Sequence, residues 1–225
     1  MIAPPIVIYG NGAMARVLYS YARHETRVVG FAVDGHCIKT EGFCGLPLVP
    51  FENVEQQFPP DDHEMIIAIG FAEMNLLRER KLQEAISKGY RLGRYVHPSV
   101  MLHDGVEIGE SCIIYEHVSI HAGSRIGAGS FITSNVNIGH DCVIEDYTWI
   151  NAGVSLGGGC RIGRGCFFGV NACVADRVQI GARTFVGAGT LIARNTGADE
   201  VHVAPAGQKL PLNSTAFLNF SRKRL

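Results

Sequence analysis

Charge is scarce in this chain. Asp, Glu, Lys and Arg make up 18% of its 225 residues, the formal net charge is −1, and the isoelectric point is near neutral at about 6.7. A nucleic-acid binder needs a basic face, and the composition supplies none, so no nucleic-acid partner is expected. The one basic cluster, Arg222-Lys223-Arg224, stands at the C-terminus and reads as a solvated tail. Long apolar runs are missing too. No stretch reaches the roughly 18 residues of a membrane-crossing helix, so no membrane partner is expected. The start, Met1-Ile2-Ala3-Pro4-Pro5, lacks the charged region of a secretory signal. The seven cysteines show none of the paired spacings of a zinc site, and disulfides are not expected. Together these absences predict a cytoplasmic address. Apolar residues nonetheless reach 47%, enough to fill the core of one or two domains.

What is present is a beat. From Ile108 to Ile192 an aliphatic or aromatic residue falls at every sixth position, through fifteen hexads with no skip or insertion. Two residues before each stands something small or β-branched, as at Val106, Cys112, Val118 and Ser124. An unbroken six-residue period marks a parallel β-helix. Three hexads make one coil of a triangular solenoid, so fifteen predict about five coils. Residues 18 apart then stack at the strand spacing of about 4.8 Å.

That arithmetic is a surface map. Cys112, Cys142, Cys160 and Cys166 point inward, where Cys acts as a small hydrophobe. Phe131, Trp149 and Phe167 form an outward aromatic ladder. His103 stacks beneath His121. His140 stands between Ala122 and Gly158, and Asp141 between Gly123 and Gly159, which leaves the imidazole room for a substrate.

Ahead of the beat, strands are expected over 6–9, 27–33 and 65–70, with helices from 13 to about 24 and over 72–88. Strands alternating with helices at this spacing argue for a parallel sheet. Gly10-Asn11-Gly12-Ala13-Met14-Ala15 approximates G-x-G-x-x-G/A, whose glycines let backbone approach a phosphate at a helix N-terminus. Asp34 lies about twenty residues on, where a carboxylate can meet a ribose. The expected organisation is an α/β domain over 1–95, a β-helix over 96–195, and a C-terminal cap and tail over 196–225, where the beat breaks.

The joint pattern is Gly10-Asn11-Gly12, then Val33-Asp34, then Ile67-Ala68-Ile69-Gly70, then Ile138-Gly139-His140-Asp141-Cys142-Val143-Ile144. With it the chain resembles the bacterial nucleotide-sugar acyltransferases of the hexapeptide-repeat family. These include the N-acetyltransferases of bacillosamine and perosamine synthesis and the sialic acid O-acetyltransferases. The resemblance covers nearly the whole chain. It implies a small Rossmann-like domain followed by a left-handed β-helix, against the usual right-handed crossover. It also implies a homotrimer with active sites between subunits, acetyl-CoA as co-substrate, and no metal. The expected reaction is acetylation of the amino group of a nucleotide-linked amino-deoxysugar for surface glycans such as lipopolysaccharide. By the same resemblance His140 is the general base and Asp141 orients it. Imidazole suits that task, with a reference pKa of about 6.5. Gly10, Asn11, Gly12, Asp34 and Gly70 would hold the nucleotide sugar. Gly153, Gly169, Asn171, Gly187 and Ala188 would hold the pantetheine arm of acetyl-CoA. Backbone N–H groups near Gly157 or Gly158 are the candidates for meeting the oxyanion.

Three places depart from the family. Phe71 follows Gly70 where relatives often have a polar residue. A second histidine, nine residues after the first in bacillosamine-type members, is here Trp149. The closing Gly-Val-Pro-Ala stands as Val203-Ala204-Pro205-Ala206. Plainer readings sit beside the functional ones. His140 also has a plainer reading as an exposed corner histidine, which the motif and its small stacked neighbours outweigh, and corner glycines are needed whatever binds. Trp149 reads as ladder packing. γ-Class carbonic anhydrases build a three-histidine zinc site on this solenoid, which brings in His103, His117 and His121. Their spacing does not match, and the N-terminal domain is foreign to that family. Two other functions stay open at this stage: O-acetylation of a sialic-acid-type sugar, and non-catalytic binding of a sugar nucleotide.

Overall fold

The computed structural model describes residues 4–222; the chain start at 1–3 and the basic tail at 223–225 lie outside the described residues. The N-terminal unit runs β1 (Ile6–Tyr9), α1 (Ala13–Ala22), β2 (Val28–Val33), β3 (Gly42–Phe43), β4 (Leu46–Pro50), β5 (Glu64–Ile67), α2 (Leu76–Ser87) and β6 (Arg91–Leu92). Its sheet has the order β3-β4-β2-β1-β5-β6, parallel except for the β3–β4 hairpin. All four residues of β1 are buried, as befits an apolar strand at the centre of a parallel sheet with both faces covered. The sheet therefore aims the turn after β1 and the end of β2 at the same rim.

The helix expected over 72–88 begins later, at Leu76. Glu73, Met74 and Asn75 all carry left-handed φ, of 54°, 51° and 68°, and three such residues in a row cannot open a right-handed helix. Its buried face also differs from the apolar reading. Leu76 and Ile86 are exposed, while Arg78, Lys81, Leu82 and Ala85 are buried.

From Tyr95 the chain winds as a triangular, left-handed parallel β-helix. Among the described residues its strands are two residues long and fall on three faces. The first face has seven strands, from Tyr95–Val96 to Val201–His202. The second has six, from Met101–Leu102 to Leu191–Ile192. The third has five, from Glu107–Ile108 to Gln179–Ile180. Pairing steps by 18 residues, as in Phe131↔Trp149 and Trp149↔Phe167. The last step is shorter: Phe185 pairs with Val201, two residues early, because the chain cuts the final third-face corner. Inward residues such as Ile120, Ile138, Cys142, Leu156 and Cys160 form one continuous apolar core. Among the described residues no helix is long and apolar enough to cross a membrane.

The N-terminal unit covers the first face. The ladder that points out of the solenoid is therefore buried: Phe131, Trp149 and Phe167 pack in one cluster with Ile8, Leu18 and Phe31. Phe131 stacks on Trp149 at 4.2 Å, and Phe71 lies against both Trp149 and Phe167. Polar clamps flank this contact. Arg78 donates to the carbonyls of Gly129 (2.6 Å) and Ser111 (3.1 Å). Arg164 bridges Glu79 on α2 and Asp146 on the solenoid, at 2.5 and 3.1 Å.

Candidate active site

His140 and Asp141 occupy the corner between the second-face strand Asn137–Ile138 and the third-face strand Val143–Ile144. Asp141 takes φ of +55°, and this turn brings its carboxylate back beside its neighbour. Oδ2 lies 2.8 Å from His140 Nδ1. An ionised carboxylate can only accept, so Nδ1 carries the proton and Nε2 keeps its lone pair for a substrate. The columns supply the space. A Cβ on Gly158 would collide with Nε2 of His140, and a Cβ on Gly123 would stand 2.6 Å from Oδ1 of Asp141. The absent side chains of two glycines thus seat the pair, which is otherwise solvent-facing, with 69% and 72% of the two side chains exposed.

Gly158→Ala is expected to lower kcat roughly tenfold by pushing the imidazole off its seat, with the melting temperature little changed. Steady-state rates and a thermal melt check this; an Ala variant with full turnover would mean the seat does not matter.

The two glycines named for the oxyanion have partners of different kinds. The N–H of Gly157 donates to the carbonyl of Val174 at 2.9 Å within the strand ladder, and that of Gly158 donates at 2.9 Å to Oδ1 of Asp176, an exposed side chain on the solenoid surface.

Five of the residues singled out for a nucleotide meet in one pocket of the N-terminal unit. Gly10, Asn11, Gly12, Asp34 and Gly70 all line a cleft of about 550 Å³, with Tyr9, Met14, His36 and Leu77 among its other walls. Gly10 adopts φ of +131°, and a Cβ there would stand 2.6 Å from the carbonyl of Ala68. Only glycine fits that turn. Gly12 then caps α1 with no side chain in the way, leaving the first turn's N–H groups open to the cleft. Asn11 is partly committed, donating its amide to the carbonyl of Cys37 at 3.1 Å.

Asp34 has partners the sequence did not reveal. Lys81 Nζ stands 2.8 Å from its Oδ1, and Tyr9 donates its hydroxyl to the same oxygen at 2.9 Å. Burial alone would raise this carboxyl, but the hydrogen bonds from Lys81 and Tyr9 prevail and hold it below the ordinary 3.8. Desolvation followed by the Asp34 hydrogen bond pushes the Tyr9 hydroxyl well above its usual range. Lys81 Nζ also lies over the edge-to-face pair of Tyr9 and Phe51, 5.6 and 5.4 Å from their ring centroids.

Lys81→Met is expected to cost about 2 kcal/mol at neutral pH, since it strands a largely buried carboxylate. A depressed carboxyl contributes stability above its unfolded value, and that contribution is lost as the pH falls through the folded one. The gap between wild type and variant should therefore narrow below about pH 4. Urea midpoints measured from pH 7 to pH 3 test it, and a constant gap would rule out the linkage.

The residues assigned to the acyl donor lie elsewhere. Gly153, Gly169, Asn171, Gly187 and Ala188 all fall on the corner between the first and second faces. Asn171, at φ of +55°, folds its side-chain oxygen onto Gly153 as Asp141 folds onto Gly123. The structure therefore puts the candidates in three places: the cleft of the N-terminal unit, one solenoid edge, and another edge opposite the face that this unit covers. Within one chain the base does not meet the cleft.

Trp149 is 3% exposed beneath the N-terminal unit and donates its indole N–H to Asn151 at 3.1 Å, so its role in the chain is packing. His103 and His121 stack with ring centroids 4.7 Å apart. Among the described residues no three His, Cys, Asp or Glu side chains converge as a metal set.

A family model described as the GMPPB C-terminal domain matches residues 95–196. No curated protein matches the sequence. Among solved structures, a histidine-to-asparagine mutant of perosamine N-acetyltransferase from Caulobacter crescentus, in complex with CoA and GDP-perosamine, superposes with a TM-score of 0.81. It is 27% identical, over 89% of this chain and 93% of that one. The acetyltransferase domain of PglB from Neisseria gonorrhoeae, in complex with acetyl coenzyme A, gives a TM-score of 0.81 at 20% identity, over 92% and 99%. WeeI from Acinetobacter baumannii gives 0.79 at 22% identity, over 88% and 96%. At those last two identities the likeness is one of fold.

Proposed function

We propose, from the premise that this chain is a hexapeptide-repeat nucleotide-sugar acyltransferase, that it acetylates the amino group of a nucleotide-linked amino-deoxysugar, with acetyl-CoA as donor. The observation that carries the reading is the His140–Asp141 pair, with Nδ1 held at 2.8 Å and Nε2 turned onto the bare surface of Gly158. His140 takes a proton from the attacking amine, and Asp141 fixes the tautomer and steadies the imidazolium. Attack is direct. The four core cysteines, Cys112, Cys142, Cys160 and Cys166, are buried in the solenoid and are not used as nucleophiles.

The cleft around Gly10, Gly12 and Asp34 binds the nucleotide, with its diphosphate against the open N-terminus of α1. The edge carrying Gly153, Asn171 and Ala188 lies along the acetyl-CoA arm. Three places on one chain make a working site once a neighbouring copy brings its own edge to the cleft, so the enzyme works as a homotrimer. Its setting is the cytoplasm and its product serves surface-glycan assembly.

The test is thiol release from acetyl-CoA with UDP-, GDP- and dTDP-linked 3- and 4-amino sugars. Turnover with one of them supports the reading. Turnover with hydroxyl acceptors alone would replace it by O-acetylation, and binding without any thiol release would make the chain a sugar-nucleotide binder.

A further inference from the structure

We infer that Phe71 is a specificity-determining residue, an apolar wall between the nucleotide cleft and the acyl-donor edge, and that it selects an acceptor sugar whose C6 is a methyl group over one carrying a C6 hydroxyl. The inference rests on the acyltransferase reading and deepens it.

Phe71 stands where the two substrate regions adjoin. Gly70, the residue before it, is part of the cleft wall. Its ring lies against Trp149 and Phe167, with centroids 5.8 and 4.2 Å away. Trp149 in turn donates its indole N–H to Asn151. Asn151 opens the corner between the strands Trp149–Ile150 and Ser155–Leu156, and Gly153 lies in that corner. Cleft, Phe71, Trp149 and acyl-donor edge therefore follow one another within a single chain. A sugar held by its diphosphate in the cleft and acylated at that edge has to cross this stretch.

The ring is presented there and not packed away. Phe131, Trp149 and Phe167 are 0%, 3% and 6% exposed, whereas Phe71 is 43% exposed. It leans on the buried ladder with one side and keeps the rest of its surface open. The turn that carries it is fixed. The N–H of Asn75 donates to the Phe71 carbonyl at 3.3 Å, and Glu73, Met74 and Asn75 hold left-handed φ. Asn75 itself is 2% exposed, so the turn is anchored in the protein.

What this wall can read follows from its chemistry. A phenyl ring has a large apolar surface and no hydrogen-bonding group. A hydroxyl pressed against it gives up water and gains no partner, which costs free energy. A methyl group in the same place gains by burial. In a 6-deoxy amino sugar the C6 methyl is the one sizeable apolar group, so it is the group that such a wall takes. An apolar wall rejects an added hydroxyl by at most about a hundredfold, and roughly tenfold is expected from one half-open ring.

The test uses two acceptors that share nucleotide and amino position, one with methyl and one with hydroxymethyl at C6. Steady-state thiol release gives kcat/KM for each. Wild type is expected to prefer the methyl sugar by about tenfold. Phe71→Ala should bring the ratio within about twofold of one, chiefly by losing rate with the methyl sugar. Phe71→Leu keeps an apolar surface and should keep most of the preference. Calorimetric affinities of wild type and Phe71→Ala for UDP, GDP and dTDP should agree within about twofold, because the ring lies outside the cleft; a loss of fold would move them. An unchanged ratio in Phe71→Ala, an equal fall with both sugars, or a loss of nucleotide affinity would overturn the assignment. If wild type acetylates both sugars equally well, the assignment falls alone. If wild type is silent with every acceptor, the acyltransferase reading falls and takes the assignment with it.

Discussion

Replacing His140 with Ala is expected to lower kcat by about a hundredfold or more and to leave KM for both substrates nearly unchanged. A hundredfold is about 2.7 kcal/mol of transition-state stabilisation, an ordinary contribution for a positioned general base. The split between kcat and KM follows from position. The imidazole stands on an exposed solenoid corner and touches neither the cleft lined by Gly10 and Asp34 nor the edge carrying Asn171. Its loss removes the proton acceptor while the cleft and the other edge, which hold the two substrates in the proposed site, keep their own contacts. Folding should be unaffected, because the side chain is mostly exposed. Asp141→Asn provides a graded control. Asn tolerates left-handed φ as well as Asp does, so the turn survives while the carboxylate is lost. Turnover should drop less than for His140→Ala, by roughly tenfold. Steady-state rates decide both, and near-wild-type turnover in His140→Ala would refute the assignment of the base.

Arg78→Ala is expected to destabilise the protein by about 2–4 kcal/mol, or roughly 5–10 °C in melting temperature for a chain of this size. Arg78 is 1% exposed and, among the described residues, has no carboxylate partner. Burial brings its guanidinium down to about 10, which leaves it charged at neutral pH. It is held by the carbonyls of Ser111 and Gly129 and by the face of Phe131, 5.3 Å from the ring centroid. Truncation leaves two buried acceptors without donors and a void between α2 and the solenoid. Arg78→Met fills most of that void, so it separates the loss of packing from the loss of hydrogen bonds. Thermal melts of the three proteins measure the split, and an Ala variant melting within a degree of wild type would show that the clamp carries no weight.

The solenoid was legible because a fixed period turns distant contacts into arithmetic. Phe131 and Trp149, or His140 and Gly158, are 18 apart, and knowing one coil means knowing the next. The glycine cleft was legible for a local reason: Gly10, Gly12 and the end of β2 lie at the same rim of one parallel sheet. What the sequence hid is the set of charged contacts that α2 makes, with the solenoid and within its own unit. Arg78 reaches Gly129 and Lys81 reaches Asp34 across 51 and 47 residues that no period relates. An apolar template for α2 selects Leu76 and Ile86 and discards Arg78 and Lys81, the charged residues that the helix buries. The late start of α2 was hidden as well, since nothing in Glu73-Met74-Asn75 announces three left-handed residues. The partners of the oxyanion candidates were hidden as well: the small residues at Gly157 and Gly158 were visible, but the acceptors of their N–H groups, Val174 and Asp176, were not.

The triangular winding has a consequence for how this chain can change length. Each hexad turns the path through a third of a revolution, so the solenoid reads its sequence in a frame of 18. Six residues inserted in a corner ahead of Gly139 would preserve every inward aliphatic position and leave the core filled. They would also carry His140 from its own edge of the prism to the next, and shift every later residue with it. Loss of one hexad would rotate the prism the other way. Ahead of Gly139 the base keeps its edge only when a whole coil is gained or lost, and anything smaller moves it to the wrong one.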